Sequence, residues 1–148
     1  GGTLRGADLA ALTTSDSSLL GVDLDQARLT GSAWLNGRWR DIDARDVQAD
    51  GLSAVEGSWS HVHLTDVSLR EADFTGATWR QVHLVDCDLT GARFAGLTVD
   101  GVTLRGCTMS GISGIEWLKG ARLGSTDAVS ALGAMAAHLG IRIVEGEQ

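Results

Sequence analysis

The chain has no proline and no tyrosine, and only 5% of its 148 residues are aromatic. Twenty glycines without one proline argue for many tight corners rather than a disordered linker. Two cysteines exclude a disulfide framework and a zinc quartet. No apolar run approaches the ~18 residues of a membrane span. Basic charge is also short: 12 Lys and Arg against 19 Asp and Glu leave a net charge of −7. That balance disfavours direct binding to a nucleic-acid backbone or to an anionic membrane. No signal peptide is visible, so a cytoplasmic location is expected. The chain opens Gly1-Gly2 rather than Met, which leaves residues before Gly1 open.

What the chain has is a rhythm of five, plainest over residues 71–95. One column is small or β-branched: Ala72, Ala77, Val82, Cys87, Ala92. A second, two residues on, is large: Phe74, Trp79, Leu84, Leu89, Phe94. A period of five is neither helical nor that of a simple strand, and a fixed period means a repeat architecture. The large column extends from Leu4 to Met109 with only Thr14 not apolar, and its companion runs from Gly2 to Cys107. Neither holds a charge, where about nine would be expected by chance. Where the large column shrinks to Ala44, Ala49 and Ala54, the companion grows to Ile42, Val47 and Leu52. The opposite exchange occurs at Ser32/Trp34, Gly37/Trp39 and Gly57/Trp59. Such compensation is what one close-packed core demands, so both columns are read as inward. Glycine recurs at an outer corner position, from Gly6 to Gly111, where it would relieve a turn of unfavourable φ.

Ala7-Asp8-Leu9, Ala72-Asp73-Phe74-Thr75-Gly76 and Cys87-Asp88-Leu89-Thr90-Gly91 resemble the pentapeptide-repeat family. The resemblance covers residues 2 to 113. It implies an all-β solenoid, a right-handed quadrilateral β-helix with four five-residue sides per 20-residue coil, in about five to six coils. On that period Trp39, Trp59 and Trp79 would stack inside one side, Cys87 and Cys107 inside another, and His63 and His83 outside a third. Each buried indole N–H would need a partner.

Two units are expected: the repeat over 1–113 and a closing segment over 114–148. Ile115, Trp117, Leu118 and Leu123 are expected to close the last coil. Ser125-Thr126-Asp127 reads as an N-cap with a first-turn acid, opening a helix over about 126–139 that Gly140 stops. Residues 141–144 read as a short strand. Val129, Leu132, Met135 and Leu139, with Ile141 and Ile143, would serve as an intramolecular cap or as a dimer seam.

No catalytic constellation is legible, and an enzyme is not expected. The cysteines read as core residues. His61, His63 and His83 near Asp66 and Asp86 read as a solvated polar side, so no metal and no cofactor are expected. The charge is uneven. The side centred on Leu4, Leu24, Ala44, Leu64, Leu84 and Leu104 carries Asp23, Asp25, Asp43, Asp46, Asp66 and Asp86 against Arg5, Arg45 and Arg105, with Asp46, Asp66 and Asp86 in one column. The Trp side carries Arg38, Arg40 and Arg80 against Asp41 and Asp100. A protein partner is expected, without direct nucleic-acid or membrane binding. The resemblance sharpens this. Some family members are rod-like dimers that imitate duplex DNA and engage DNA gyrase, among them quinolone-resistance proteins; their C-terminal helix and strand commonly form the dimer seam, and the ending here, Ala131 through Val144, is similar to those tails. Two readings stand: such a DNA mimic, with the six aspartates as the partner surface, or an interaction scaffold without mimicry.

Overall fold

The computed structural model describes residues 2–144. Its strands all pair in parallel, each with the residue 20 positions on except at the last, where Arg122 pairs with Thr103 at an offset of 19. The main sheet holds β1 (Gly2–Arg5), β3 (Ser18–Asp25), β5 (Arg38–Arg45), β6 (Ser58–Thr65), β7 (Thr78–Val85), β8 (Thr98–Asp100), β9 (Thr103–Arg105) and β10 (Arg122–Leu123). A second, two-stranded sheet pairs β2 (Thr13–Ser15) with β4 (Ala33–Leu35). Single bridges such as Gln48 with Ser68 and Asp73 with Arg93 continue the same register on the remaining sides. The product is a parallel β-solenoid of about six turns closed by short C-terminal helices.

The corners explain the rhythm of five. Every fifth residue from Gly6 to Gly111 has a positive φ, between 52° and 75°. Four such corners per 20 residues make a four-sided coil. The column is not reserved for glycine: Asp16, Asn36, Asp41, Asp46, Glu56, His61, Asp66, Glu71 and Asp86 also sit there. Asp, Asn and His tolerate the left-handed region better than most residues, because a short polar side chain can satisfy nearby backbone. Two corners per coil are closed by turns, as where the Ser32 N–H donates to Leu29 O at 3.0 Å and Gly37 N–H to Trp34 O at 3.2 Å. At Gly21, Asp41, His61 and Gln81 the strand runs on through the corner, giving the eight-residue strands β3, β5, β6 and β7.

Both inward columns fill one interior. From Leu24 to Met109 nearly every inward residue is buried, while Leu4 and Leu12 of the first coil are 39% exposed. Trp39 and Trp59 stack with ring centroids 4.7 Å apart, and Trp59 and Trp79 at 5.5 Å. Phe74 and Phe94 form a second stack, set edge-on to the Trp rings. The space opposite is taken up by the small residues of the same coil: the gap between Trp39, Trp59, Ala44 and Ala49 is only about 10 Å³. The indole of Trp34 donates to Ser32 Oγ at 3.1 Å, and Ser32 Oγ donates to Leu29 O at 2.7 Å. A serine is therefore tolerated among inward residues because it partners a tryptophan. The expectation of a partner for every indole fails at Trp39 and Trp79, whose Nε1 atoms are buried without one. Ring stacking holds each indole flat against its neighbours, so its N–H cannot turn to meet an acceptor. Each such donor costs about 1–3 kcal/mol, which the stacks must outweigh.

The closing segment departs from its reading in four places. Leu118, on a 3-10 turn over Ile115–Leu118, is buried, but Trp117 lies 47% exposed. The single helix is two: α1 (Ser125–Ser130) and α2 (Leu132–Leu139), meeting at the fully buried Ala131. Gly124, not Ser125, is the N-cap of α1. Residues 141–144 are not a strand among the described residues, because no strand of this chain lies beside them to pair. Gly140 does stop α2, with φ 73°.

Candidate partner-binding surfaces

The acidic side is built on the second half of each long strand. Asp23, Asp43, His63, His83 and Thr103 form one in-register column. Asp25 and Arg45 lie beside it, the former 3.7 Å from Arg5 and the latter 3.7 Å from Asp43. At the next corner Asp46, Asp66 and Asp86 succeed one another, each an exposed residue at positive φ. Their backbones are bonded upward, from the Asp46 N–H to Thr65 O at 3.1 Å, Asp66 to Val85 O at 3.0 Å and Asp86 to Arg105 O at 2.8 Å. Three carboxylates thus stand one strand spacing apart, ~4.8 Å. Among the described residues none of the three makes an ion pair.

A shallow cleft of about 340 Å³ runs beside this ladder, lined by Asp66, Ser68, Asp86 and Asp88. Asp88 differs from its neighbours: Arg70 reaches it at 3.2 Å, and the Thr90 N–H and hydroxyl donate to it. Burial alone would raise its pKa, but these donors and the guanidinium outweigh burial and hold it below the usual carboxylate range. His63 and His83 pack with ring centroids 4.8 Å apart. Partial burial, and then the neighbouring His63, lower the pKa of His83. No group of three or more His, Cys, Asp or Glu among the described residues could hold a metal ion. Cys87 and Cys107 are buried and free, and each thiol donates to a core carbonyl, Leu64 O and Leu84 O, at 3.5 Å. No helix among the described residues is long and apolar enough to cross a membrane.

The second surface is the closing segment. A regular coil offers its carbonyls to the N–H groups of the coil before it, and after Arg105 that supply ends. The Asp127 carboxylate takes its place, accepting from Gly106 N–H at 2.9 Å and Cys107 N–H at 2.7 Å. Ser130 Oγ accepts from Met109 N–H at 2.7 Å. Gly124 makes room for this, since a Cβ there would stand 2.7 Å from Asp127 Oδ1. The sequence signal was Asp127 itself, read as a first-turn acid. Its real acceptor role was hidden because its donors lie 20 residues back.

The apolar residues proposed for the cap divide. Met135 is half-buried against the core. Val129, Leu132, Leu139, Ile141 and Ile143 stay 50–69% exposed. Beside them a cleft of about 430 Å³ opens between the 3-10 turn and α2, lined largely by Ile115, Leu118, Leu123, Met135 and Leu139. Glu116 and His138 face each other at 3.6 Å across it.

Residues 80–111 match the family described as pentapeptide repeats (8 copies). Over that stretch the chain is similar to pentapeptide repeats. Among solved structures, the solenoid matches a pentapeptide-repeat protein from the cyanobacterium Cyanothece 51142 with a TM-score of 0.53, at 14% identity over 82% of this chain and 91% of that one. Two others align less well in space. QnrB1, a plasmid-mediated fluoroquinolone resistance protein, has a TM-score of 0.33 at 15% identity, over 97% and 98% of the two chains. A pentapeptide-repeat protein of the Arabidopsis thaliana thylakoid lumen has 0.32 at 20%, over 88% and 77%. No curated protein matches the chain by sequence.

Proposed function

We propose that the chain is a protein-binding rod that presents its acidic corner ladder to a basic, DNA-binding groove of a partner. The observation that carries this is the run Asp46, Asp66, Asp86: exposed, in one column and without counter-ions among the described residues. Like charges at strand spacing repel, so the ladder is a standing cost that a basic partner relieves. One column supplies a charge per ~4.8 Å, against one per ~3.4 Å along a DNA strand. Asp23, Asp25 and Asp43 on the flanking columns supply the remaining density. The resemblance of residues 131–144 to the tails of gyrase-engaging members of the family names DNA gyrase, a type II topoisomerase, as the partner to test. Competition for a charged groove requires no chemistry, so the proposed role is non-catalytic.

The purified chain should alter gyrase supercoiling. Replacing the ladder by D46N/D66N/D86N should weaken that effect at least about tenfold, more so at low salt, where exposed charges are least screened. The fold should survive, because the three side chains are exposed and Asn also tolerates the corner conformation. A supercoiling assay unmoved by the wild-type chain would dispose of the gyrase reading.

A second reading has its own support in the bare apolar face of α2. The exposed Val129, Leu132, Leu139, Ile141 and Ile143 suit a homodimer seam, or the docking face of a scaffold without DNA mimicry. Binding insensitive to salt and to the Asn variants would favour the scaffold.

A further inference from the structure

The Trp side carries on its outer surface a feature that the acidic ladder does not explain. In-register pairing puts Arg38 beside Ser58 and Thr78, and sets Ser60 between Arg40 and Arg80. These six side chains line a cleft of about 340 Å³ in which no carboxylate takes part. Arg38 makes no ion pair among the described residues. Arg40 faces Asp41, and Arg80 faces Asp100, through Nε at 3.8 Å, beyond hydrogen-bond reach. Among the described residues Arg38 is therefore without a counter-ion, while Arg40 and Arg80 are ion-paired but not hydrogen-bonded to their carboxylates, on a chain whose net charge is −7.

Arg40 and Arg80 are two strand spacings apart, ~9.6 Å at the backbone. Two long guanidinium arms can close over that gap onto one tetrahedral anion above Ser60. Each guanidinium offers a planar fork of donors that matches phosphate oxygens. The hydroxyls of Ser58, Ser60 and Thr78 supply further donors from the floor. The lining carries three guanidinium groups and no carboxylate, and its hydroxyls can turn to donate, which suits an anion and not a cation or an apolar ligand.

We propose that this cleft binds a phosphoryl group, either inorganic phosphate or the monoester of a phosphorylated ligand. Arg40 and Arg80 clamp the anion, Arg38 adds charge from the side, and Ser60 donates from below.

Inorganic phosphate titrated into the full chain at low ionic strength should bind saturably at one site. The arginine side-chain N–H resonances would report it. Substituting both clamps, R40Q/R80Q, should weaken binding at least about tenfold, and S60A a few-fold. R40K/R80K keeps the charge but loses the fork, so it should fall between; it also serves as the readout should the Gln variant fail to fold. R93Q, which breaks only the remote pair with Asp73, should bind as wild type. O-phosphoserine about tenfold tighter than phosphate would name a monoester as the source, and equal binding would name the free ion. The proposal is overturned by the absence of saturation, by chloride competing as well as sulfate, or by R93Q weakening binding as much as R40Q/R80Q.

Discussion

Two short helices follow each other at the end of the rod and behave as opposites. α1 is six residues long and contributes its polar side chains inward. Asp127 is fully buried and stands in for the carbonyls of a coil that does not come. α2 is eight residues long and packs Ala134 and Met135 against the core, but leaves Leu132 and Leu139 50% and 69% exposed. An amphipathic stripe is usually expected to bury its apolar face. Here the last coil needs hydrogen-bond acceptors more than it needs more hydrocarbon, because its N–H groups would otherwise lie bare at a sheet edge. The polar end of the segment meets that need, and the apolar end is left for another surface.

Removing the acceptor should have the largest effect. Asp127→Ala leaves Gly106 and Cys107 N–H groups unpartnered and should cost ~3 kcal/mol or more by denaturant unfolding, with aggregation at the opened edge. Asp127→Asn keeps one carbonyl oxygen and should cost clearly less. Ser130→Ala loses only the bond from Met109 N–H, so a loss of ~1 kcal/mol is expected. A value near zero for both would mean that α1 is held by packing alone. Leu132→Asp and Leu139→Asp should change unfolding by no more than ~0.5 kcal/mol, since both side chains are exposed. Their readout is light scattering: a dimer formed through α2 becomes a soluble monomer. Unfolding or aggregation of these variants would show that α2 caps the rod as α1 does.

The repeat was legible in the sequence because it obeys a local rule. Inward side chains at alternate positions exclude charge, and a corner every five residues demands left-handed backbone. The glycines announced that corner. The aspartates at Asp46, Asp66 and Asp86 did so less openly, because the same residue type serves a tolerated φ and a surface charge. The pairing of Ser32 with Trp34 was visible as an exchange of volume, but its hydrogen bond was not. The buried N–H groups of Trp39 and Trp79 could not be foreseen, since satisfaction depends on where a stacked ring points. The strand read at 141–144 and the unbroken helix failed for a related reason. Local propensity describes a segment alone, whereas a strand needs an edge to join and Ala131 is set by burial against the core.

By itself the sequence determined the period of five and the members of the core, since both follow from spacing, size and charge along the chain, while the register of 20 came with the family resemblance. Only the tertiary structure decided the use of those residues at the ends and outer faces. Asp127 became an acceptor for amides 20 residues away, Leu132 and Leu139 stayed in solvent, and Arg40 and Arg80 came to flank one serine. Each is a relation between different coils, and the energy of a hydrogen bond or ion pair depends on distance in space, which residue order alone does not record.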